Sequence, residues 1–222
     1  MYLVIDVRLR NVKNKQAIMD SSNYLVNNFK DYKGRWNEYF GNSNNIHIEI
    51  GTGKGDFIIE NAIRHPEINF IGIEKFDSVI ARCLQKIPED LNNLAMIRMD
   101  AIEINEVFDK EIDVIHLNFS DPWPKNRHES RRLTSKLFLD KYEGLFKNDI
   151  TIIQKTDNQK LFEFSLMSFS HNNYALEDLT FDYHNANIDN IDDIIMTEYE
   201  KRFSQLGQNI YYVKAIKKMS NR

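Results

Sequence analysis

The chain has 222 residues, 42% of them apolar and 28% charged, with a net charge of −4 and a single cysteine. That is enough for one α/β core and too little for two ordinary domains. The lone Cys83 excludes an internal disulfide and any multi-cysteine metal site, and points to a reducing compartment, the cytoplasm. No apolar run approaches the roughly 20 residues of a membrane-spanning helix. The N-terminal MYLVIDVRLRN places its basic residues after its apolar patch, the reverse of a secretion signal. Neither a membrane nor a metal partner is expected.

In chain order, residues 1–45 are polar and irregular, with a helical stretch expected near 14–28. They read as a basic arm and helix placed before a domain spanning 46–222. From there, short Ile- and Val-rich runs alternate with helical patterns. The strand candidates are 46–50, 69–73, 94–98, 112–119, 149–154, 174–182 and 209–216. Runs this short and this apolar suit strands covered on both faces. Helical patterns lie at 54–65, 76–87, 102–108, 131–147, 158–171 and 191–205. The β-α-β-α-β order implies a doubly wound, mostly parallel sheet with right-handed crossovers and helices on both faces.

Charge is segregated along this order. Eight acids and no base lie between Ala175 and Glu200, and six bases and no acid between Lys201 and Arg222. The segment Lys125–Lys136 holds Lys125, Arg127, Arg131, Arg132 and Lys136 against Glu129 alone, and Arg8, Arg10, Lys13 and Lys15 make the N-terminal arm basic. Such segregation steers a polyanion to one face of an acidic protein, although solvated helix faces give the same pattern.

In an open parallel sheet, ligands bind beyond the carboxyl ends of the strands. After the first strand the sequence reads Ile48-Glu49-Ile50-Gly51-Thr52-Gly53-Lys54-Gly55. Alternating glycines allow a sharp turn and close approach of the backbone to a ligand. The spacing is one residue short of the dinucleotide fingerprint, and no Gly-Lys-Ser/Thr ending of a P-loop follows. Glu49 repels a pyrophosphate but attracts a sulfonium or ammonium. The second strand ends at Glu74, placed to accept from ribose hydroxyls. After the third strand, Asp100 is either an acceptor for an adenine amino group or an N-cap. Carboxylates at three successive strand ends make S-adenosylmethionine the leading cofactor, with Gly51 and Gly53 lining its loop.

The fourth strand runs into Asp121-Pro122-Trp123-Pro124-Lys125, where two prolines around a tryptophan stiffen the segment that carries Asp121. Here the chain resembles the bacterial tRNA (guanine-N7)-methyltransferases. The match is carried by Arg8-Leu9-Arg10-Asn11, Tyr32-Lys33-Gly34-Arg35-Trp36, the Glu49 and Glu74 strand ends, Asp121–Lys125 followed by Arg127-His128 and Arg131-Arg132-Leu133, Lys155-Thr156-Asp157, and Thr197-Glu198-Tyr199-Glu200. The resemblance implies a Rossmann-like class I fold of seven strands, the last one antiparallel. It also implies methyl transfer from S-adenosylmethionine to N7 of guanine 46 in the tRNA variable loop. Glu49, Glu74, Asp100 and Asp121 are then cofactor contacts, and Asp121 is catalytic. Substrate contacts fall on Lys125, Asp157, Thr197, Glu198, Tyr199 and Glu200, and RNA contacts on Arg127, His128, Arg131 and Arg132. One departure is that Asn126, Glu129 and Ser130 interrupt the family's basic run, which weakens the expected grip on RNA. A monomer and a homodimer are equally compatible with the sequence.

The chemistry agrees with the residues. Guanine N7 has a free lone pair, so no base is needed, and alignment with the methyl donor is the main task. Methylation leaves a cationic ring, which a fixed carboxylate such as Asp121 stabilises. The donors-only N1–H and amino edge of guanine suits a second carboxylate, Asp157 or Glu200. His47 and His116 lie within strands and read as packing residues. A small-molecule methyltransferase has little use for three basic segments. An NAD-dependent oxidoreductase conflicts with the glycine spacing and Glu49, and an RNA-binding module without catalysis leaves Asp121 without a purpose.

Overall fold

A computed structural model describes residues 12–186 and 208–219. Its centre is a seven-stranded sheet in the order β3-β2-β1-β4-β5-β7-β6. The strands are β1 (Asn45–Ile50), β2 (Ile68–Glu74), β3 (Leu94–Arg98), β4 (Val114–Asn118), β5 (Ile150–Thr156), β6 (Ala175–Thr180) and β7 (Tyr211–Lys217). The β1–β2, β2–β3, β1–β4 and β4–β5 pairs are parallel. β7 slots between β5 and β6 and runs antiparallel to both. The sheet is therefore parallel but for β7, the arrangement that the family resemblance implies. Order reverses at β1, whose neighbours are β2 and β4, and the crevice beyond this switch point is where an open α/β sheet binds its ligand.

Alternation along the strands sorts the two faces. One face buries Ile46, Ile48 and Ile50 of β1 with Ile71, Ile73, Ile115 and Leu117 of its neighbours, under Trp36. Trp36 is wholly buried and its indole Nε1 donates to the Val107 carbonyl at 3.1 Å. The other face buries Phe70 and Met96 under α3 (Asp56–Arg64) and α4 (Asp77–Leu84), through Ile58, Ala62, Ile80 and Ala81. The remaining helices are α1 (Lys15–Ser21), α2 (Trp36–Phe40), α5 (Lys136–Tyr142) and α6 (Gln159–His171), joined by short 3-10 turns.

Several boundaries move from the sequence expectation. The stretch expected as one helix over 131–147 is split. A 3-10 turn covers Asn126–Arg131, Arg132 is extended with ψ 133°, and α5 begins only at Lys136. Ser135 donates its hydroxyl to the Ser130 carbonyl, a local bond that competes with helix propagation. Residues 102–108 lie largely in a 3-10 helix, Ala101–Glu106, capped by Asp100. The 14–28 helix shortens to α1, and the chain beyond it runs along the sheet edge. There Met96 N–H donates to Tyr24 and Val26 N–H donates back to Met96, at 2.7 and 2.9 Å. The helix expected at 191–205 lies outside the described residues.

Candidate active site at the carboxyl ends of the strands

The loop after β1 turns through Gly51, Gly53 and Gly55, with φ of +80°, +57° and +81°. Both Gly51 N–H and Thr52 N–H donate to the Ile73 carbonyl at 2.8 and 3.2 Å, pinning the loop to the end of β2. The space where a Cβ would stand is open at Gly51 and Gly53, as a ligand cradle requires. Gly55 is different: a Cβ there falls 2.3 Å from the buried Cys83 sulfur, so the helix behind the loop packs directly on backbone.

Glu49 lies under this loop and is only 2% exposed. Its Oε1 accepts a hydrogen bond from the Asn118 side-chain amide at 2.8 Å. Its Oε2, the Thr52 hydroxyl and Asn118 Oδ1 are buried and have no hydrogen-bond partner among the described residues. Buried polar atoms are normally satisfied, so a cluster of unsatisfied ones marks room for a ligand's donors. Three oxygens, one on a carboxylate, suit an ammonium or sulfonium. Burial pushes the Glu49 carboxyl up to about 8, against the opposing pull of the Asn118 hydrogen bond and the Lys155 charge.

Glu74 closes the next strand. Its Oε2 accepts from Gly53 N–H at 3.1 Å, and its Oε1 from Lys75 and Phe76 N–H at 2.8 and 2.9 Å. The carboxylate is thereby aimed, and Oε2, which accepts one donor against two on Oε1, keeps acceptor capacity for a hydroxyl. Burial raises the Glu74 carboxyl, and the negative charge of Asp121 adds to the rise. Asp121 lies just beyond β4, and since β2 and β4 both run parallel to β1, the two carboxylates stand at the same edge of the sheet. Asp100 serves as an N-cap through Ile102 N–H at 3.1 Å, and its other oxygen meets the Lys75 ammonium at 2.5 Å. Although partial burial opposes it, this ion pair holds the Asp100 carboxyl below its ordinary value. Phe76 and Ile102, 59% and 38% exposed, are large apolar side chains set beside these acids. Phe76 offers a flat ring and Ile102 an aliphatic surface as cover for a heterocycle, and their sequence signal is too ordinary to single them out.

Asp121 is exposed on a loop bounded by two residues in left-handed backbone, Phe119 with φ +51° and Trp123 with φ +41°. Such a conformation costs roughly 1–3 kcal/mol for each non-glycine residue and persists only where the surroundings enforce it. Phe119 N–H is held by the Lys155 carbonyl at 2.9 Å. On the far side, the Arg132 guanidinium donates from Nε to the Pro122 carbonyl at 3.2 Å and from Nη2 to the Trp123 carbonyl at 3.1 Å. The Arg131 guanidinium lies 4.9 Å from the Trp123 ring centroid, and the His128 ring meets Trp123 edge-on at 5.7 Å. Arg132, read from sequence as an RNA contact, is thus engaged with the loop that carries Asp121.

Lys125 and Arg127 are exposed, the first just before the 3-10 turn that follows this loop and the second within it. Asp157 is half-buried just beyond β5, next to Asn158, which caps α6 by accepting from Leu161 N–H at 2.9 Å. Thr197, Glu198, Tyr199 and Glu200 lie outside the described residues. Lys155 carries no signal of its own in the sequence beyond its motif string. It is 3% exposed, with its ammonium 5.2 Å from the Phe57 ring and 5.3 Å from Tyr183. His47 and His116 face each other at 3.4 Å below Glu49. Burial lowers His47 to about 4 and His116 well below its ordinary value, which suits neutral packing residues.

Comparison with known proteins agrees with this geometry. A family model described as a putative methyltransferase matches residues 43–213. Among solved structures, an antibiotic-related methyltransferase aligns with a TM-score of 0.60 at 18% identity, covering 86% of this chain and 94% of its own. A 16S rRNA methyltransferase aligns at 0.62 and 10% identity, covering 84% and 94%. These are likenesses of fold. Sequence relatives are much nearer. The tRNA (guanine-N(7)-)-methyltransferase of Lachnoclostridium phytofermentans is 45% identical over 213 residues, covering 95% of this chain and 99% of the relative. That of Bacillus subtilis is 48% identical over 196 residues, covering 87% and 91%. With the class I fold, the glycine loop and the Asp-Pro-Trp-Pro segment in place, the chain belongs to the tRNA (guanine-N(7)-)-methyltransferase family.

Proposed function

We propose that this protein transfers the methyl group of S-adenosylmethionine to N7 of guanine 46 in the variable loop of tRNA, in the cytoplasm, as a monomer or homodimer. What supports the reading is the placement of Glu49 and Glu74 on adjacent strands at the switch point, with Asp121 just beyond β4 on the other side of β1, in a chain that belongs to this family. S-adenosylmethionine supplies an electrophilic methyl on sulfur. Glu49, with the buried oxygens of Thr52 and Asn118, takes the cationic aminoacyl end over Gly51 and Gly53. Glu74 accepts the ribose hydroxyls, and Asp100 lies on the adenine side with Phe76 and Ile102 as cover.

Asp121 both borders the cofactor and faces the base, where its charge offsets the cation that forms on the purine ring. Asp157 takes the N1–H and amino edge of guanine, with Lys125 and Thr197–Glu200 completing the substrate contacts. Exposed Arg127 and Arg131, with half-buried His128 between them, meet tRNA phosphates. Methyl transfer from labelled cofactor into bulk tRNA, followed by nucleoside analysis, is expected to give N7-methylguanosine. The cationic N7-methylated ring is also labile to reduction, after which aniline should cut the tRNA at one place by β-elimination. Finding N1-methylguanosine or a methylated adenine instead overturns the assignment of the base.

The Glu74 role is tested separately. Hydrogen bonds to charged groups contribute roughly 1.5–3 kcal/mol each. Glu74→Ala removes the acceptor of two hydroxyls and also the tie that holds Gly53 N–H. Calorimetry should show S-adenosylhomocysteine affinity at least about tenfold weaker. Unchanged affinity in a folded variant rules the ribose assignment out.

A further inference from the structure

We propose that Arg132 is a positioning residue for the reaction loop: it holds Asp121 in place through the carbonyls of Pro122 and Trp123, and is not a contact for RNA. The inference rests on the reading of Asp121 as the reaction carboxylate. The loop has little means of holding itself. Pro122 and Pro124 have no N–H to donate, and Phe119 and Trp123 both sit in left-handed backbone. What the loop does offer is carbonyls, and Arg132 takes two successive ones from a single planar fork, at 3.2 and 3.1 Å. A guanidinium can do this because its donors are fixed in one plane, whereas a lysine ammonium is a point charge without that geometry.

The flat face of the same guanidinium covers the Phe164 ring of α6 at 4.3 Å. Arg132 thereby ties the loop to a helix that is itself fastened to the residues just after Arg132. The Thr134 and Ser165 hydroxyls bond at 2.7 Å, and the Ser168 hydroxyl donates to the Thr134 carbonyl at 2.6 Å. α6 in turn starts beside Asp157. The clamp therefore fixes the spacing between the carboxylate at the end of β4 and the one at the end of β5. Arg131, by contrast, is exposed and lies on the outer ring of Trp123, which leaves its donors to solvent or phosphate.

Three measurements on Arg132→Lys and Arg132→Ala test the clamp. The first is turnover. Both variants should lose at least tenfold in kcat with KM for tRNA within about twofold, and millimolar free guanidinium should restore kcat in Arg132→Ala but not in Asp121→Asn. The second is salt dependence. The slope of log K against log salt should match wild type for Arg132→Lys, whereas Arg127→Ala lowers it by about 0.9 for one lost duplex phosphate contact. The third needs no activity. Of the two tryptophans, Trp36 is wholly buried, so acrylamide quenching of fluorescence reports on Trp123. Quenching should rise in both variants while melting temperature and S-adenosylhomocysteine affinity hold.

Unchanged quenching overturns the clamp whatever happens to turnover. Retained kcat with a reduced salt slope identifies Arg132 as an RNA contact and also overturns it. If Asp121→Asn keeps full turnover, the reading of Asp121 fails by itself, and quenching still decides whether Arg132 holds the loop.

Discussion

Asp121→Asn should reduce kcat by roughly 100- to 1000-fold, the range seen when one preorganised electrostatic group is removed from an active site. The substitution keeps the size of the side chain and much of its hydrogen-bonding reach, and removes only the charge. Asp121 sits on an exposed loop and makes no contribution to the described core, so the fold should survive. Guanine is neutral in the ground state and cationic once methylated. A carboxylate that acts on the developing charge therefore changes kcat and leaves tRNA affinity within a few fold. Single-turnover kinetics with saturating cofactor, alongside binding of tRNA to the cofactor-free variant, separate these quantities. A loss confined to the KM of the cofactor means instead that Asp121 holds the cofactor and does nothing for the base.

The parts of this site that are visible in the sequence are those whose chemistry follows from local spacing. Glu49, Gly51 and Gly53 stand on a strand-to-helix turn, and Glu74 on the next strand end, so their convergence follows once a parallel sheet is inferred. Asp121 is legible because two prolines frame it. What cannot be read is what depends on through-space partners. Arg132 looks like one more base in a basic run, and only the fold sets its fork against the Pro122 and Trp123 carbonyls, ten and nine residues back. Lys155 is visible only within a motif string, because burial between Phe57 and Tyr183 is decided by α3 and by the segment after β6. The stretch before β1 is hard to read for a related reason. Its anchors, Leu25, Val26 and Trp36, are spaced irregularly, and their value lies in filling the edge and one face of the sheet. The broken 131–147 helix is the reverse case, since apolar periodicity continues across 132–135, where extended backbone at Arg132 and Ser135 separates the 3-10 turn from the start of α5.

Buried Glu49 leads to the second large effect, in which cofactor binding expels a proton. With its carboxyl at about 8, Glu49 is mostly protonated at neutral pH in the free protein. Among the described residues the charges around it are Lys155 on β5, Asp56 on α3 and Glu74 on β2, and Asn118 on β4 supplies a hydrogen bond. A ligand cation placed against Oε2 stabilises the ionised form, so the complex holds one proton fewer than the free protein. Affinity for S-adenosylhomocysteine should then rise with pH up to about 8, by as much as about tenfold per unit, and flatten beyond it. Calorimetry near pH 7 in buffers of different ionisation enthalpy should register close to one proton released. Glu49→Gln shares any titration of the ligand itself but has no carboxyl, so both the slope and the proton should vanish. Stability of the free protein should move the other way. A carboxyl raised in the folded state contributes fully below its unfolded value of 4.5, and that contribution is lost as pH rises through about 8. Melting temperature of the free wild type should therefore fall relative to Glu49→Gln between those limits, and added cofactor should cancel the difference. If wild type and Glu49→Gln release the same number of protons on binding, Glu49 is already ionised in the free protein and the coupling does not exist.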